Sequence, residues 1–231
     1  MLDYWEAFTF FYLIPVISYY ASAFIFDICN YYRKLSFLEK RKDEVEKYDT
    51  WPRGFILASC NLLVFYHIPF KIIYYFIRDR IIKSTDWFYI LNGPFVILFY
   101  MLMFDVLFYS LHRYFHVNKY LYTKIHKIHH FWTRPFAITG LACHPIEFLV
   151  VIMFPYIFPI ILFPYTHVYW IYLYSMGTAI NNTVTHSGLF ALGARDHDMH
   201  HLYYKYNYGI TIFPRFGMDY LCKTKYIEKK E

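Results

Sequence analysis

Long apolar runs alternate with short charged ones along this chain. Continuous apolar stretches cover residues 5–28, 55–77 and 87–111, and a fourth covers 148–185. About 20 helical residues span a hydrocarbon core of about 30 Å, so each of the first three is long enough to cross a membrane once. The fourth is long enough for two crossings or one deep hairpin, with Pro155, Pro159 and Pro164 near its middle, where the chain can turn. The pattern predicts an all-α, polytopic helical membrane protein with about four transmembrane helices, or three plus a hairpin.

Composition agrees with a membrane location. The chain is 58% hydrophobic, 25% aromatic and 17% charged over 231 residues, too apolar for an ordinary soluble domain. Its basic residues gather at 33–53, 113–134 and 195–230, whereas the loop between the second and third runs holds only Arg78, Arg80 and Lys83. By the positive-inside rule the three basic segments are cytosolic and the N-terminus, carrying Asp3 and Glu6, faces the other way. The first run reads as a membrane anchor rather than a removable signal peptide. The mixed-charge run at 39–47 reads as a solvated loop. Cys29, Cys60, Cys143 and Cys222 show no C-x-x-C spacing and no disulfide framework. No repeat or low-complexity tract interrupts the chain, which reads as one membrane domain over 1–231. The basic C-terminal end is expected against anionic headgroups, not nucleic acid.

Candidate chemistry lies in the histidines. Nine of the twelve fall into clusters: His112 and His116; His126, His129 and His130; His186; and His197, His200 and His201. The His-x-x-His-His pattern occurs twice, about 70 residues apart, at spacings that put imidazoles on one helix face. Nine neutral imidazoles exceed what one tetrahedral ion can use, which predicts two metals in a shared, nitrogen-rich cradle on the cytosolic face. Asp105, inside the third run, is an expensive residue there and is expected to accept the free N–H of a liganding imidazole, His112 being seven residues on. Asp196 and Asp198 flank His197 and could act similarly or lie in solvent. His144, where the chain re-enters the membrane, could orient the site or cap a helix. His67 and His167, isolated among apolar residues, read as structural.

Two chemistries are disfavoured by the same residues. A zinc peptidase of the His-Glu-x-x-His type needs glutamate after the first histidine, and Arg113 stands there. A transporter places ionisable groups at mid-membrane along a path, whereas these histidines sit at helix ends. Iron accepts imidazole ligands, and a chain with no haem or thiolate ligation would need two irons to activate oxygen against a C–H bond.

The motifs resemble those of the fatty acid hydroxylase superfamily of membrane non-haem di-iron oxygenases over residues 105–224. The carriers are Leu-His112-Arg-Tyr-Phe-His116, His126-Lys-Ile-His129-His130, Arg134-Pro-Phe, His144-Pro-Ile-Glu147, His186-Ser-Gly, His197-Asp-Met-His200-His201, Asn207-Tyr-Gly and Met218-Asp219-Tyr-Leu. The resemblance implies N-terminal spans and a cytosolic loop at 1–104, followed by a catalytic region at 105–224 with a cytosolic histidine cap binding two iron ions and O2. It implies electrons from NAD(P)H through a separate reductase and cytochrome b5, a location in the endoplasmic reticulum, and a membrane lipid as substrate. His186-Ser-Gly and the third box look most like sterol C4-methyl oxidases and sterol 25-hydroxylases, and Leu-Tyr-Tyr-Lys-Tyr-Asn-Tyr-Gly resembles sterol C5-desaturases. The first box and His144-Pro-Ile-Glu look like sphinganine hydroxylases, so a sphingoid-base or fatty acyl hydroxylase is the alternative, and an inactive membrane interaction protein is the alternative of another class. Asn182 stands where fatty acid 2-hydroxylases carry a further histidine, and is expected to bind metal through water or to pack.

Overall fold

The apolar runs fold as helices, some started by a capping side chain and others by a proline in the first turn. The computed structural model describes residues 2–31, 50–83, 86–189, 192–209 and 216–227; the charged run at 39–47 lies outside them. Helix α1 (Tyr4–Cys29) starts at Asp3, whose Oδ1 accepts from the backbone N–H groups of Trp5 and Glu6 at 2.9 and 3.1 Å. Helix α2 (Trp51–Ile77) carries a proline in its first turn, where no N–H is missed. The third apolar run divides at Asn92 into α3 (Trp87–Leu91) and α4 (Gly93–Val117). Because α4 continues to Val117, both His112 and His116 lie on its final turns. A short α5 (Lys119–Lys124) follows, its start capped by Asn118 Oδ1.

The fourth run resolves into a hairpin of two crossing-length helices, α6 (Pro145–Leu162) and α7 (Val168–His186). At 1.5 Å per residue they are about 27 and 28 Å long. The turn falls at 163–167; Pro155 and Pro159 lie within α6 and only Pro164 is in the turn. Then come α8 (Arg195–Tyr203) and α9 (Met218–Leu221). Helices α1, α2, α4 and α6 are long and apolar enough to cross a membrane, while α7 is of similar length but less apolar and packs mainly on α1.

Contacts between loops define two ends. Leu2 N–H donates to the Arg78 carbonyl at 2.7 Å, Lys83 pairs with Glu6, and Val168 N–H donates to the Ile82 carbonyl at 3.0 Å. The N-terminus, the 78–83 loop and the hairpin turn therefore share one end. The C-terminal turns of α4 and α7, with their histidines, form the other, as the charge pattern predicts.

Three of the crossing helices contain a wide π-turn: Thr9–Leu13 in α1, Asn61–Phe65 in α2 and Phe148–Met153 in α6. Those in α1 and α2 are tied reciprocally, with Tyr12 Oη donating to the Leu62 carbonyl at 3.1 Å and Tyr66 Oη to the Phe11 carbonyl at 2.8 Å. A buried 3-10 turn, Ala137–Leu141, roofs the bundle at the histidine end. Asp27 accepts from the Ala137 and Ile138 N–H groups at 2.7 and 3.1 Å and from Trp51 Nε1 at 2.9 Å. Tyr19 Oη and Asn61 Nδ2 hold its other end, donating to the Ile138 and Leu141 carbonyls at 2.8 Å each. Asp27, the Tyr19 hydroxyl and Asn61 Nδ2 are buried and paired, so the roof is fixed.

Candidate metal centre

All nine clustered histidines converge at this end of the bundle, and they do so as two groups. His112, His116, His126, His130 and His200 bring one nitrogen each to within 4.8 Å of one another, and His129, His186, His197 and His201 do the same. The two His-x-x-His-His boxes are not dedicated one to each group. The second box sends its i and i+4 members, His126 and His130, to the first group and its i+3 member, His129, to the other. The third box does the reverse, with His197 and His201 in the second group and His200 in the first. The repeated motif thus exchanges one histidine in each direction and stitches the groups into a pseudo-symmetric pair. The second box is a 3-10 turn (His126–Phe131) rather than the α-helical face its spacing predicts, and the third lies on α8.

Hydrogen bonds on the outer nitrogens fix five tautomers. His112 Nδ1–H donates to the Tyr208 carbonyl at 2.8 Å, His200 Nδ1–H to the Tyr206 carbonyl at 2.7 Å, and His201 Nδ1–H to the Trp132 carbonyl at 2.9 Å. His186 Nδ1–H donates to the Asn182 carbonyl and His126 Nδ1–H to Glu147 Oε1, both at 2.8 Å. An imidazole that donates through Nδ1 leaves Nε2 as a bare lone pair while it is neutral. These Nε2 atoms crowd together: His126 lies 2.7 Å from His116 and 3.0 Å from His130, and His197 lies 2.9 Å from His186 and 3.2 Å from His201.

Protons do not fill the gaps. Burial, then the neighbouring imidazoles, push His126, His129, His130, His197 and His201 well below the ordinary histidine range; burial and then His112 do so for His200. Neutral lone pairs aimed at one another repel unless a cation lies between them, so the donor set fits metal ions. Five nitrogens in the first group exceed a tetrahedral zinc shell, and the four of the second would fill one.

Other expected site residues are placed differently. Asp105 is buried, but His112 spends its free N–H on the Tyr208 carbonyl, and Asp105 Oδ2 instead accepts from Met218 N–H at 2.7 Å. Its influence is one step removed. Asp219 accepts from the Tyr208 and Gly209 N–H groups at 2.8 and 2.6 Å, so the two aspartates together hold the segment that presents the Tyr208 carbonyl. His144 caps α6, its Nδ1 accepting from Ile146 N–H at 3.1 Å, and makes no approach to the histidine groups. The residue three positions on, Glu147, does: it is buried and carries the His126 hydrogen bond. Asn182 serves His186 through its backbone carbonyl, while its side-chain Oδ1 is buried and unpaired. Asp196 pairs with Lys225 at 3.0 Å at the surface, and Asp198 is buried. His67 stacks on Tyr12 and His167 caps α7, both structural roles.

Directly beneath the second group, a cavity of about 360 Å³ runs into the bundle, touching His186 and His197 at one end. Its walls come from α1, α2, α4, α6 and α7 and include Pro15, Leu62, Ile152 and Met153, at or beside the three π-turns. Among the described residues no charged side chain lines it.

A model of the fatty acid hydroxylase family matches residues 97–224, more than half of the chain. The chain belongs to the fatty acid hydroxylase family. Similar proteins include the Delta(7)-sterol 5(6)-desaturase of Leptosphaeria maculans, 31% identical over 157 residues that make up 63% of this chain and 41% of that protein. Methylsterol monooxygenase 1 of Danio rerio is 27% identical over 195 residues, 77% of this chain and 65% of that one. Fatty acid hydroxylase domain-containing protein 2 of Homo sapiens is 37% identical over 110 residues, 46% of this chain and 32% of that one. The chain spans less than two thirds of the length of each of these relatives. No solved structure matches it. With four apolar crossing helices and this family, the chain is an integral membrane protein.

Proposed function

We propose that this family member is a membrane-bound non-haem di-iron oxygenase that oxidises a C–H bond of a lipid, with a sterol as the substrate class. The observation that carries the reading is the convergence of bare Nε2 lone pairs at the mouth of an uncharged cavity. In this reading His112, His116, His126, His130 and His200 hold one iron and His129, His186, His197 and His201 the other. The ions supply activation of O2 against an unactivated C–H bond, with electrons drawn from NAD(P)H through a separate reductase and cytochrome b5. The chain's own residues do three things. The Nδ1 acceptors, Glu147 and the Tyr208, Tyr206, Trp132 and Asn182 carbonyls, orient the imidazoles and fix their tautomers. The roof at 137–141, pinned by Asp27, closes the site from above and excludes water. The cavity binds an apolar chain or ring system and delivers one end of it to His186 and His197.

The names of the similar proteins support a sterol, since two of the three act on sterols by name. Basic residues at the histidine end, among them Arg113, Lys119, Lys124, Lys127 and Lys205, support a cytosolic face for the site and a location in the endoplasmic reticulum. The test is a mass-spectrometric profile of sterols and sphingoid bases in yeast expressing the chain beside a His129→Ala control. An oxidised sterol that disappears with the histidine is the expected result. A histidine-dependent hydroxylated sphingoid base would reassign the substrate, and no histidine-dependent change in well-expressed protein would overturn the oxygenase reading.

A further inference from the structure

The cavity beneath the second histidine group has an open side, and the burial of its lining locates it. The lining residues on α1 and α2 are buried. Those on α4, Ile97, Met101, Phe104 and Phe108, recur at helical spacing along one face and are half-buried. On α7, Leu173 is 46% exposed and Gly177 is exposed as well. Tyr169, one turn before Leu173 and off the cavity, is 67% exposed, so the stripe formed by Tyr169, Leu173 and Gly177 is the outward face of α7. The cavity therefore reaches the outer surface of the bundle along the seam between α4 and α7.

A glycine leaves that seam open. Tyr169 and Leu173 carry large side chains, whereas a Cβ at Gly177 would meet no atom within 4 Å. Its backbone is ordinary helix, so neither conformation nor crowding calls for glycine there, and glycine inside a helix costs about 0.5–1 kcal/mol relative to alanine. Gly177 is also the middle residue of α7, which places the opening half-way through the membrane and away from both headgroup layers. What passes at that depth passes through hydrocarbon. An ammonium or phosphate headgroup would be desolvated on the way, and among the described residues no charged side chain waits in the cavity to pair with it. An uncharged lipid is already dissolved in that medium.

We propose that the gap at Gly177 is a lateral entrance, through which a neutral lipid passes from the centre of the bilayer into the cavity and on toward His186 and His197. This rests on the oxygenase reading above for the identity of the lipid, a sterol, and adds its route. Gly177 is on this view a specificity-determining residue remote from the metal ligands. It sets how fast a lipid reaches the site, and by its depth it turns away lipids whose charged heads stay at the interface.

The test reads rates of binding and needs no metal turnover. Tritiated cholesterol is bound to, and chased from, detergent-purified wild type, Gly177→Ala, Gly177→Leu and Gly177→Trp. A plugged entrance slows entry and exit alike. Association and dissociation should both fall about 10-fold in Gly177→Trp, less in Gly177→Leu and little in Gly177→Ala, with affinity held within about 3-fold. Each variant should melt no lower than wild type, because the space is open and glycine is the poorer helix former. Unchanged rates in Gly177→Trp, a loss of affinity with faster release, as from a filled cavity, or no saturable cholesterol binding to wild type would overturn the entrance. Sphinganine, which carries an ammonium, should not displace the label; displacement at the concentration at which unlabelled cholesterol displaces it would overturn the selection for neutral lipids. A nitroxide on Gly177→Cys, in protein carrying Cys29→Ser, Cys60→Ser and Cys222→Ser and held in phosphatidylcholine nanodiscs, should be reached by O2 and not by a water-soluble nickel chelate. The reverse would place the opening in water and overturn lateral entry. Loss of product in His129→Ala reads the oxygenase assignment alone, so either conclusion can fail while the other stands.

Discussion

Glu147 offers a direct test of how the histidine cradle is held. Its Oε1 accepts the His126 Nδ1–H at 2.8 Å in a site where both side chains are buried. His126 Nε2 then points at His116 and His130, 2.7 and 3.0 Å away. Replacing Glu147 with alanine leaves that N–H buried without an acceptor and frees the ring to turn or change tautomer. Removing one partner of a buried hydrogen bond costs about 1–3 kcal/mol, and loss of such an outer partner typically lowers metal affinity about 10- to 100-fold. Glu147→Gln keeps an acceptor oxygen but replaces the second oxygen with an NH2 donor, so it should fall between wild type and Glu147→Ala. The assay is iron content after gel filtration, followed by the rate of iron release to a chelator. About half the wild-type iron, released at least 10-fold faster, is expected for Glu147→Ala, because the second group is untouched. Wild-type iron content and release rate in that variant would refute the claim that Glu147 orients His126.

Three further outcomes follow from the same geometry. In metal-free protein the buried histidines outside the spans stay neutral well below the ordinary range, whereas an unfolded chain protonates below about pH 6.5; the unfolded state then binds more protons. Stability is therefore fully present above that pH and lost as pH falls, by up to about 1.4 kcal/mol per unit for each histidine, and a melting temperature unchanged between pH 7.5 and 5.5 would contradict it. Gly209→Ala would place a Cβ 2.7 Å from Asp105 Oδ1 and 3.0 Å from Asp219 Oδ2, both held by backbone N–H groups. A loss of about 1–3 kcal/mol in denaturant unfolding and faster iron release are expected; an unperturbed variant would mean the closing segment moves freely. His144→Ala should cost about 1 kcal/mol as a lost helix cap and leave iron content unchanged, which a drop in bound iron would contradict.

The histidine groups were legible in the sequence because side-chain ligation demands specific residue types at fixed spacings, and spacing survives in one dimension. Their partition was not. Each His-x-x-His-His box divides between two groups, and that division depends on how the His126–Phe131 turn and α8 face each other, which local periodicity does not encode. The acceptors were harder still, since four of the five are backbone carbonyls, which every residue possesses. The case of Asp105 shows where periodicity misleads. Seven residues return a side chain to the same helix face, but about 10.5 Å away along the axis, too far for a hydrogen bond to His112.

The argument that singled out Asp105, that an ionisable residue within an apolar helix needs a reason to be there, applies with equal force to Glu147. In His144-Pro-Ile-Glu147 the histidine drew attention by its residue type, yet an exposed helix start has an ordinary use for a histidine as a cap. A buried carboxylate does not have an ordinary use; it must find a cation or a donor. Weighing each polar residue by what its burial would cost, and not by its resemblance to a ligand, reaches Glu147 from sequence. What distinguishes a site residue here is therefore an unmet demand, for a cation at the crowded Nε2 atoms.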